Sequence, residues 1–391
     1  MTGRVVVVPG PGVDGSQCRR WATELGIDVD VRPGDPAAVL VALAAGHPST
    51  AGEASAPVPN PAGLAGVVIA PGPDGFDAPG LAAAVGETAL PVVAVDPGNL
   101  RKTGVEPEST RLVAAGACVI YGRGEDTARH ALLFLARRHG QRPDILAYGP
   151  DPGQEGDLWL PAGAGPHPVA VLFHGGFWYH AWERDLMDGL ALDLARRGIA
   201  AWNAEYRRVG AGGGWPATGE DAARATDHLV ALAPVYGLDL GRVAAVGHSA
   251  GAQLALWVAA RGRRSLVHPA LVVGLATIAD LEEAMAARTG GGSVARLLDA
   301  GLDDGDDGDR EVALAEASPR AKLPIGVPQL LAHAVDDPVV PLSQTTAYAD
   351  AARAAGDDVT VMELERGGHF DLIDPGSQAW TTVVSAIQTR L

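Results

Sequence analysis

The stretch VAAVGHSAGAQLA, residues 243–255, decides the fold of the second half of this chain. A short apolar run leads directly into Gly247-His248-Ser249-Ala250-Gly251, and an apolar helical run follows at once. A G-x-S-x-G motif between a strand and a helix places its serine on a sharp turn, where the flanking glycines permit a strained backbone and close packing. The pentapeptide alone is not specific, so the interpretation depends on three further features.

The first feature is His174-Gly175-Gly176-Phe177-Trp178, which follows the apolar run Val169–Phe173. Glycines after a strand let backbone N–H groups turn toward the negative charge of a tetrahedral intermediate. We therefore expect the amides of Gly176 or Phe177, together with that of Ala250, to form an oxyanion hole. A plain glycine-rich turn is the alternative.

The other two features are an acid and a histidine after later predicted strands. The segment HAVDDPVVP, residues 333–341, offers Asp336 and Asp337, and the spacing within it favours Asp337 as the acid that orients an imidazole. His369 lies on a glycine-containing loop after the last predicted strand, where it can reach a serine as general base. The order Ser249, Asp337, His369 is that of α/β-hydrolase catalytic triads.

Weaker expectations concern a substrate pocket. The candidates are residues of the two glycine-rich motifs and nearby aromatic residues: Gly175, Trp178, Tyr179, Trp182, Trp215 and His248. Core packing is an equal alternative for the aromatic residues, and packing is the expected role of His248. The segment Glu205-Tyr206-Arg207 follows a predicted strand and is interpreted as a structural ion-pair network.

The length of 391 residues exceeds what one hydrophobic core commonly supports, so two domains are expected. Strand-length apolar runs alternate with amphipathic helical stretches, which is typical of α/β folds with parallel sheets. We place the domains at 1–140 and 145–391, with a small lid near 280–320. Asp303–Arg310 reads as an exposed loop, and a cation site there is a minor alternative because ordered ligand spacing is missing.

In the first domain, the predicted strands are Val5–Val8, Ile27–Val31, Gly66–Ala70, Val92–Val95 and Ala117–Tyr121. Its predicted helices are Asp14–Leu25, Pro36–Ala44, Asp77–Val85 and Glu125–Arg138, and Gly46–Pro61 is predicted to be a loop. The second domain opens with a predicted antiparallel pair, Ile145–Tyr148 and Gly156–Leu160. Its clearest predicted helices are Gly219–Leu232, Ala250–Arg261 and Thr345–Ala355.

Composition narrows the functional classes. Hydrophobic residues make up 47% of the chain, and the formal net charge is −17. A surface with this much negative charge repels nucleic acid and anionic membranes. Neither is therefore an expected partner. Two cysteines provide no disulfide framework or metal-ligand spacing, and the N-terminus lacks a signal-peptide pattern. We expect a cytoplasmic protein without a metal or other cofactor.

The second half resembles the α/β-hydrolase superfamily, and within it the hormone-sensitive-lipase-type and kynurenine-formamidase-like esterases. The words HGGFW, WNAEYRRVG, GGGWPAT, GHSAGAQLA, HAVDDPVVP and GGHFD carry this resemblance. Phe177 stands where hormone-sensitive-lipase-type members usually have a third glycine, which moves the likeness toward the formamidase-like branch. The resemblance implies serine hydrolysis of a small acyl substrate.

The first half resembles the type II 3-dehydroquinate dehydratases, which have a flavodoxin-like fold. The likeness runs through VVVVPGPG, GIDVDVRPGDPAA, AGVVIAPG, LPVVAVDPGN and VAAGACVIYGRG. The family's tyrosine-bearing loop after the first strand is missing, because no tyrosine precedes Tyr121. Asp96 stands where the family has its catalytic histidine. We therefore expect this half to be inactive as a dehydratase, with a role in homo-oligomer assembly or in support of the hydrolase.

Three functional hypotheses follow. The first is an esterase, with an arylformamidase as its closest rival. The second is a lyase whose first domain is active despite its substitutions. The third is a binding or scaffold protein with an inactive triad.

Overall fold

The computed structural model describes residues 4–9, 15–24, 28–32, 38–40, 64–70, 81–87, 92–96, 118–121, 132, 143–151, 153–302 and 307–391. The chain divides into two compact units, Met1–Arg142 and Pro143–Leu391. The predicted loop Gly46–Pro61 and nearly all of the predicted helix Glu125–Arg138 lie outside the described residues.

The first unit contains a five-stranded parallel sheet. Its strands are β1 Arg4–Pro9, β2 Val29–Val31, β3 Leu64–Ala70, β4 Val92–Asp96 and β5 Cys118–Tyr121, in the spatial order β2-β1-β3-β4-β5. Its helices α1 and α2 span Gly15–Glu24 and Leu81–Glu87. Consecutive valines of β1 are all buried, as expected for a parallel strand covered on both faces. The five predicted strands are confirmed to within two residues.

The second unit contains an eight-stranded mixed sheet in the order β13-β12-β11-β10-β8-β9-β7-β6. Its strands are β6 Asp144–Ala147, β7 Glu155–Trp159, β8 His167–Phe173, β9 Ala200–Ala204, β10 Leu238–His248, β11 Leu271–Leu275, β12 Gln329–Ala334 and β13 Val359–Leu364. The predicted pair β6 and β7 is antiparallel, and β7 also runs antiparallel to β9. All other neighbouring strands are parallel.

Helices connect these strands. They are α3 Asp188–Arg196, α4 Ala217–Asp227, α5 Leu229–Tyr236, α6 Ala250–Ala260, α7 Leu281–Ala286, α8 Thr289–Asp299, α9 Asp307–Ala317, α10 Leu342–Ala354 and α11 Gln378–Gln388. The end of β10 is buried on both sides, because Val246 pairs with Leu172 of β8 and with Val273 of β11. Parallel strands end at one edge, so the loops after β8, β10, β12 and β13 share that edge.

Two sequence predictions need correction. The predicted helix Gly219–Leu232 is two helices, α4 and α5, which meet at His228. The predicted loop Asp303–Arg310 is wrong in its second half, since Asp307–Ala317 is helical. Acidic residues favour the positive end of a helix dipole, so Asp307 and Asp309 suit a helix start as well as a loop. Residues 303–306 lie outside the described part of the chain.

The described residues contain neither a membrane-spanning helix nor a metal-binding cluster. No helix there combines the length and the apolar character needed to cross a bilayer. No group of three or more His, Cys, Asp or Glu side chains there is arranged to hold a metal ion.

Candidate active site

The turn after β10 forces Ser249 into an unusual backbone conformation. Ser249 has φ 53° and ψ −117°, and its amide donates to the carbonyl of Leu275 at 2.7 Å. Close packing against backbone atoms leaves no room for a side chain at the neighbouring glycines. A Cβ on Gly247 would lie 2.1 Å from the carbonyl oxygen of Gly251, and one on Gly251 would lie 2.1 Å from that of Phe173. Strain held in place by close packing is typical of a nucleophile turn.

The loops after β12 and β13 bring an acid and an imidazole together. His369 Nδ1 lies 2.7 Å from Asp337 Oδ2. Both side chains are shielded, with 5% of the His369 side chain and none of the Asp337 side chain exposed. An ionised carboxylate only accepts hydrogen bonds, so this contact holds the ring hydrogen on Nδ1 and leaves Nε2 as a proton acceptor.

The two oxygens of Asp337 are held by different donors. Oδ1 accepts from the amides of Val339 and Val340 at 2.8 and 3.0 Å. Burial by itself raises the pKa of Asp337, but the hydrogen bonds of His333 and His369 and of the Val340 amide outweigh it and lower the pKa. The acid is therefore an anion throughout the neutral range.

Asp336, the rejected candidate, faces elsewhere. Its Oδ1 accepts from the amide of Gly368 at 2.9 Å, so it ties the β12 loop to the backbone of the histidine loop. Of the two neighbouring acids, Asp337 is the one that contacts His369. The sequence spacing favoured the same residue.

His248 links the serine turn to the histidine loop. Its Nε2 lies 3.0 Å from the carbonyl oxygen of His369, and the two rings are 4.6 Å apart between centroids. Burial, followed by repulsion from His369, lowers the pKa of His248 well below its ordinary value. A neutral His248 therefore donates to the His369 carbonyl. Because His248 directly precedes Ser249, this bond holds His369 beside the serine turn.

The loop after β8 lies against the serine turn. A Cβ on Gly175 would fall 3.1 Å from Ser249 Cβ. Gly176, Phe177 and Trp178 all have positive φ, at 111°, 54° and 56°. Ala250 is the first residue of α6, where backbone amides lack an intrahelical partner. Gly175 therefore lies against the serine turn, and Gly176 and Phe177, two of the residues expected to provide an oxyanion hole, follow it directly in the loop.

Buried polar contacts hold this loop from behind. His174 Nε2 lies 2.9 Å from Glu205 Oε1, and Tyr206 donates its hydroxyl hydrogen to the His174 carbonyl at 2.8 Å. Burial alone raises the pKa of Glu205, but the charges of Arg208 and His174 outweigh it and lower the pKa. The network predicted for the EYR segment is present, while Arg207 instead pairs with Asp221 at 2.7 Å.

Sequence reasoning missed one connection of the loop after β8. Trp178 Nε1 donates to Gln253 Oε1 at 3.0 Å, and Gln253 Nε2 donates to the Ala317 carbonyl at 2.8 Å. Gln253 lies in α6, so the helix after the serine also holds the loop that faces it. The available signal in the sequence was Gln253 as a lone polar residue in an otherwise apolar helical run, because a buried amide needs hydrogen-bond partners.

The other pocket candidates are spread over core and surface. Trp215 is buried and packs edge-on against Trp257 at 5.0 Å. Trp178 also belongs to the hydrophobic core, whereas Tyr179 and Trp182 are half-buried. Trp182 stacks on Phe370 at 6.0 Å between centroids, so an aromatic pair joins the segment that follows β8 to the residue after His369.

Comparison with known proteins agrees with this architecture. Residues 157–351 match the family model BD-FAE. Esterase B from Lactobacillus Rhamnosis is similar at 21% identity and a TM-score of 0.56, covering 67% of this chain and 91% of its own. A truncated carbohydrate esterase from gut microbiota has 18% identity and a TM-score of 0.54, covering 64% of this chain and 99% of its own.

The acetyl ester-xyloside bifunctional hydrolase from Caldicellulosiruptor lactoaceticus has 20% identity and a TM-score of 0.52, covering 63% of this chain and 95% of its own. No curated protein sequence matches the chain. The second unit therefore has an α/β-hydrolase-type fold, which it shares with these solved esterases. Residues 157–351 of this unit are similar to the BD-FAE family.

Proposed function

We propose that the chain hydrolyses a carboxylic ester of a small molecule through Ser249, His369 and Asp337. The single observation that supports this most strongly is the 2.7 Å contact between His369 Nδ1 and Asp337 Oδ2, next to a strained serine turn. The BD-FAE match and the esterase fold support the same proposal.

The proposed mechanism follows from the donors and acceptors. His369 Nε2 takes the hydroxyl proton of Ser249 while the serine oxygen attacks the acyl carbon. Amides of the loop after β8 and of Ala250 stabilise the oxyanion. His369 then protonates the leaving alcohol, and water, activated by the same imidazole, releases the acid from the acyl-enzyme. Asp337 stabilises the imidazolium that exists between these steps.

The test is a substrate panel with a matched inactive variant. Wild-type protein and Ser249→Ala are compared on p-nitrophenyl acetate, p-nitrophenyl butyrate and N-formylkynurenine. We expect ester hydrolysis that Ser249→Ala abolishes. A strong preference for the formyl amide would replace the esterase proposal by an arylformamidase, and no turnover of any substrate would favour a binding protein.

For the first unit we propose a flavodoxin-like fold without dehydratase activity. The parallel order β2-β1-β3-β4-β5 supports it, because flavodoxin-type sheets have the strand order 2-1-3-4-5. Assembly of copies through this unit remains a prediction, which the mass of the protein in solution tests directly.

A further inference from the structure

The acid of the proposed triad has a second histidine beside it. His333 Nε2 lies 3.4 Å from Asp337 Oδ2, the same oxygen that His369 contacts at 2.7 Å. His333 is fully buried at the end of β12, and the proposed reaction assigns it no chemical step. A buried imidazole next to a buried carboxylate is therefore left without a role.

The contacts of His333 determine where its hydrogen lies. Nε2 is 3.0 Å from the carbonyl oxygen of Val340, which can only accept, so Nε2 must carry a hydrogen. Nδ1 is 2.7 Å from the hydroxyl oxygen of Thr345 in α10, which can donate to it. The ring thus directs an N–H toward the Val340 carbonyl and the Asp337 carboxylate together.

These contacts make Val340 a bridge. Its amide donates to Asp337 Oδ1 at 3.0 Å, and its carbonyl accepts from His333. His333 therefore acts on both oxygens of the acid: directly at Oδ2, and at Oδ1 through the turn that supplies the amides. Thr345 in turn holds the ring from the helix that follows.

We propose that His333 is a positioning residue for the triad, which fixes the Asp337 carboxylate so that Oδ2 meets His369. The proposal rests on the proposed function, because it assigns His333 to the same reaction. The groups facing the Asp337 carboxylate are His333 of β12, His369 and the amides of Val339 and Val340; His248 contacts His369 from the serine turn.

Substitution of His333 tests the proposal. We expect His333→Leu to lower kcat for p-nitrophenyl acetate about 10-fold with little change in KM, because a hydrogen bond to a charged group is lost. With one donor fewer, Asp337 attracts the ring hydrogen of His369 more strongly. We therefore expect the acid limb of the pH profile, where kcat/KM falls at low pH, to move to higher pH. His333→Gln keeps an N–H donor and is expected to restore part of kcat.

A second variant guards against misfolding. Thr345→Val is nearly isosteric and removes the hydroxyl that holds the ring, so we expect a smaller loss of kcat with the same direction of pH shift. Its matched control is Thr226→Val, which removes a buried hydroxyl bonded to the Ala222 carbonyl in α4 and leaves kcat and the pH profile unchanged. A role in stability alone would lower the amount of folded protein without moving the acid limb.

Proton NMR of the ring hydrogens separates this proposal from the proposed function. The wild type should show a downfield His369 Nδ1–H signal that Asp337→Asn removes and that His333→Leu and Thr345→Val shift. This measurement needs no substrate, so it tests the contact even if no ester is hydrolysed. The role of His333 would be overturned if the signal stayed unshifted in the folded Thr345→Val, His333→Gln and His333→Leu proteins and if their pH profiles kept the same acid limb.

Discussion

At the residue scale, the neighbouring acids Asp336 and Asp337 make different contacts. Asp337 touches His369 with Oδ2 and accepts two amides with Oδ1, whereas Asp336 accepts only the Gly368 amide among the contacts seen. Both positions follow one strand and differ by one residue, so they form a natural matched pair.

We expect Asp337→Asn to lower kcat by about 10⁴-fold, because an amide at this position favours the wrong tautomer of the catalytic imidazole. Asp336→Asn retains an oxygen that can accept from Gly368, so its loss should not exceed about 10-fold. Steady-state kinetics at neutral pH on both folded variants measure the difference. Equal losses in the two variants would remove Asp337 from the proposed triad.

At the element scale, helix α6 packs onto the end of β8 without room for a methyl group. A Cβ on Gly251 would lie 2.1 Å from the Phe173 carbonyl oxygen and 2.5 Å from that of His174. Backbone atoms cannot rotate away from such a clash, so the helix and its serine must shift relative to the strand. This contact explains the second glycine of the motif in physical terms.

We expect Gly251→Ala to destabilise the second unit by about 3 kcal/mol and to reduce ester hydrolysis. The control is Gly308→Ala in α9, where a Cβ would meet nothing within 4 Å. Better helix propensity should leave that variant equal to the wild type or up to about 1 kcal/mol more stable. Urea unfolding followed by tryptophan fluorescence measures both, and a stable Gly251→Ala protein would contradict the packing argument.

The strand ends that carry the candidate site could be predicted from the sequence. The ends of β8, β10, β12 and β13 were identified by short apolar runs followed by glycine or polar residues, and parallel strands bring such ends to one edge. That rule was enough to predict that Asp337 and His369 lie close together. The bond between Trp178 and Gln253 joins residues 75 positions apart through side-chain packing, which no local pattern encodes.

Other differences also have physical reasons. The Gly/Asp-rich start of α9 carries no apolar periodicity, and acidic residues suit a helix start and an exposed loop equally well. The contact of His333 with Thr345 depends on how α10 lies against β12. Packing between elements, rather than propensity within them, therefore decided the position of His333.

At the scale of the whole molecule, the second unit contains a buried charge network that contacts His174, at the start of the loop after β8. Glu205 accepts from the amides of Arg184 and Tyr206 and contacts His174 and Arg208. Its pKa is lowered in the folded protein, so the unfolded chain takes up its proton first as the pH falls. Its stabilising contribution is complete well above about pH 4.3, the ordinary value for glutamate, and declines as the pH falls through that value toward the folded pKa.

We expect Glu205→Gln to lower the free energy of unfolding by about 3 kcal/mol at pH 7, because it leaves buried cations without their anion. Wild-type stability should fall by about 2 kcal/mol between pH 5 and pH 3, which is only part of the Glu205 contribution, while the variant shows a flatter profile over the same range. Urea midpoints at several pH values measure this. Parallel profiles for the two proteins would show that Glu205 has no depressed pKa.

The proposed function requires that Ser249 be a nucleophile activated by His369. Labelling of the full chain with a fluorophosphonate, followed by mass analysis of the modified peptide, tests this directly. We expect one phosphonylated site, at Ser249, which His369→Ala strongly suppresses. A folded wild-type protein that stays unlabelled, or that is labelled equally well without His369, would contradict it.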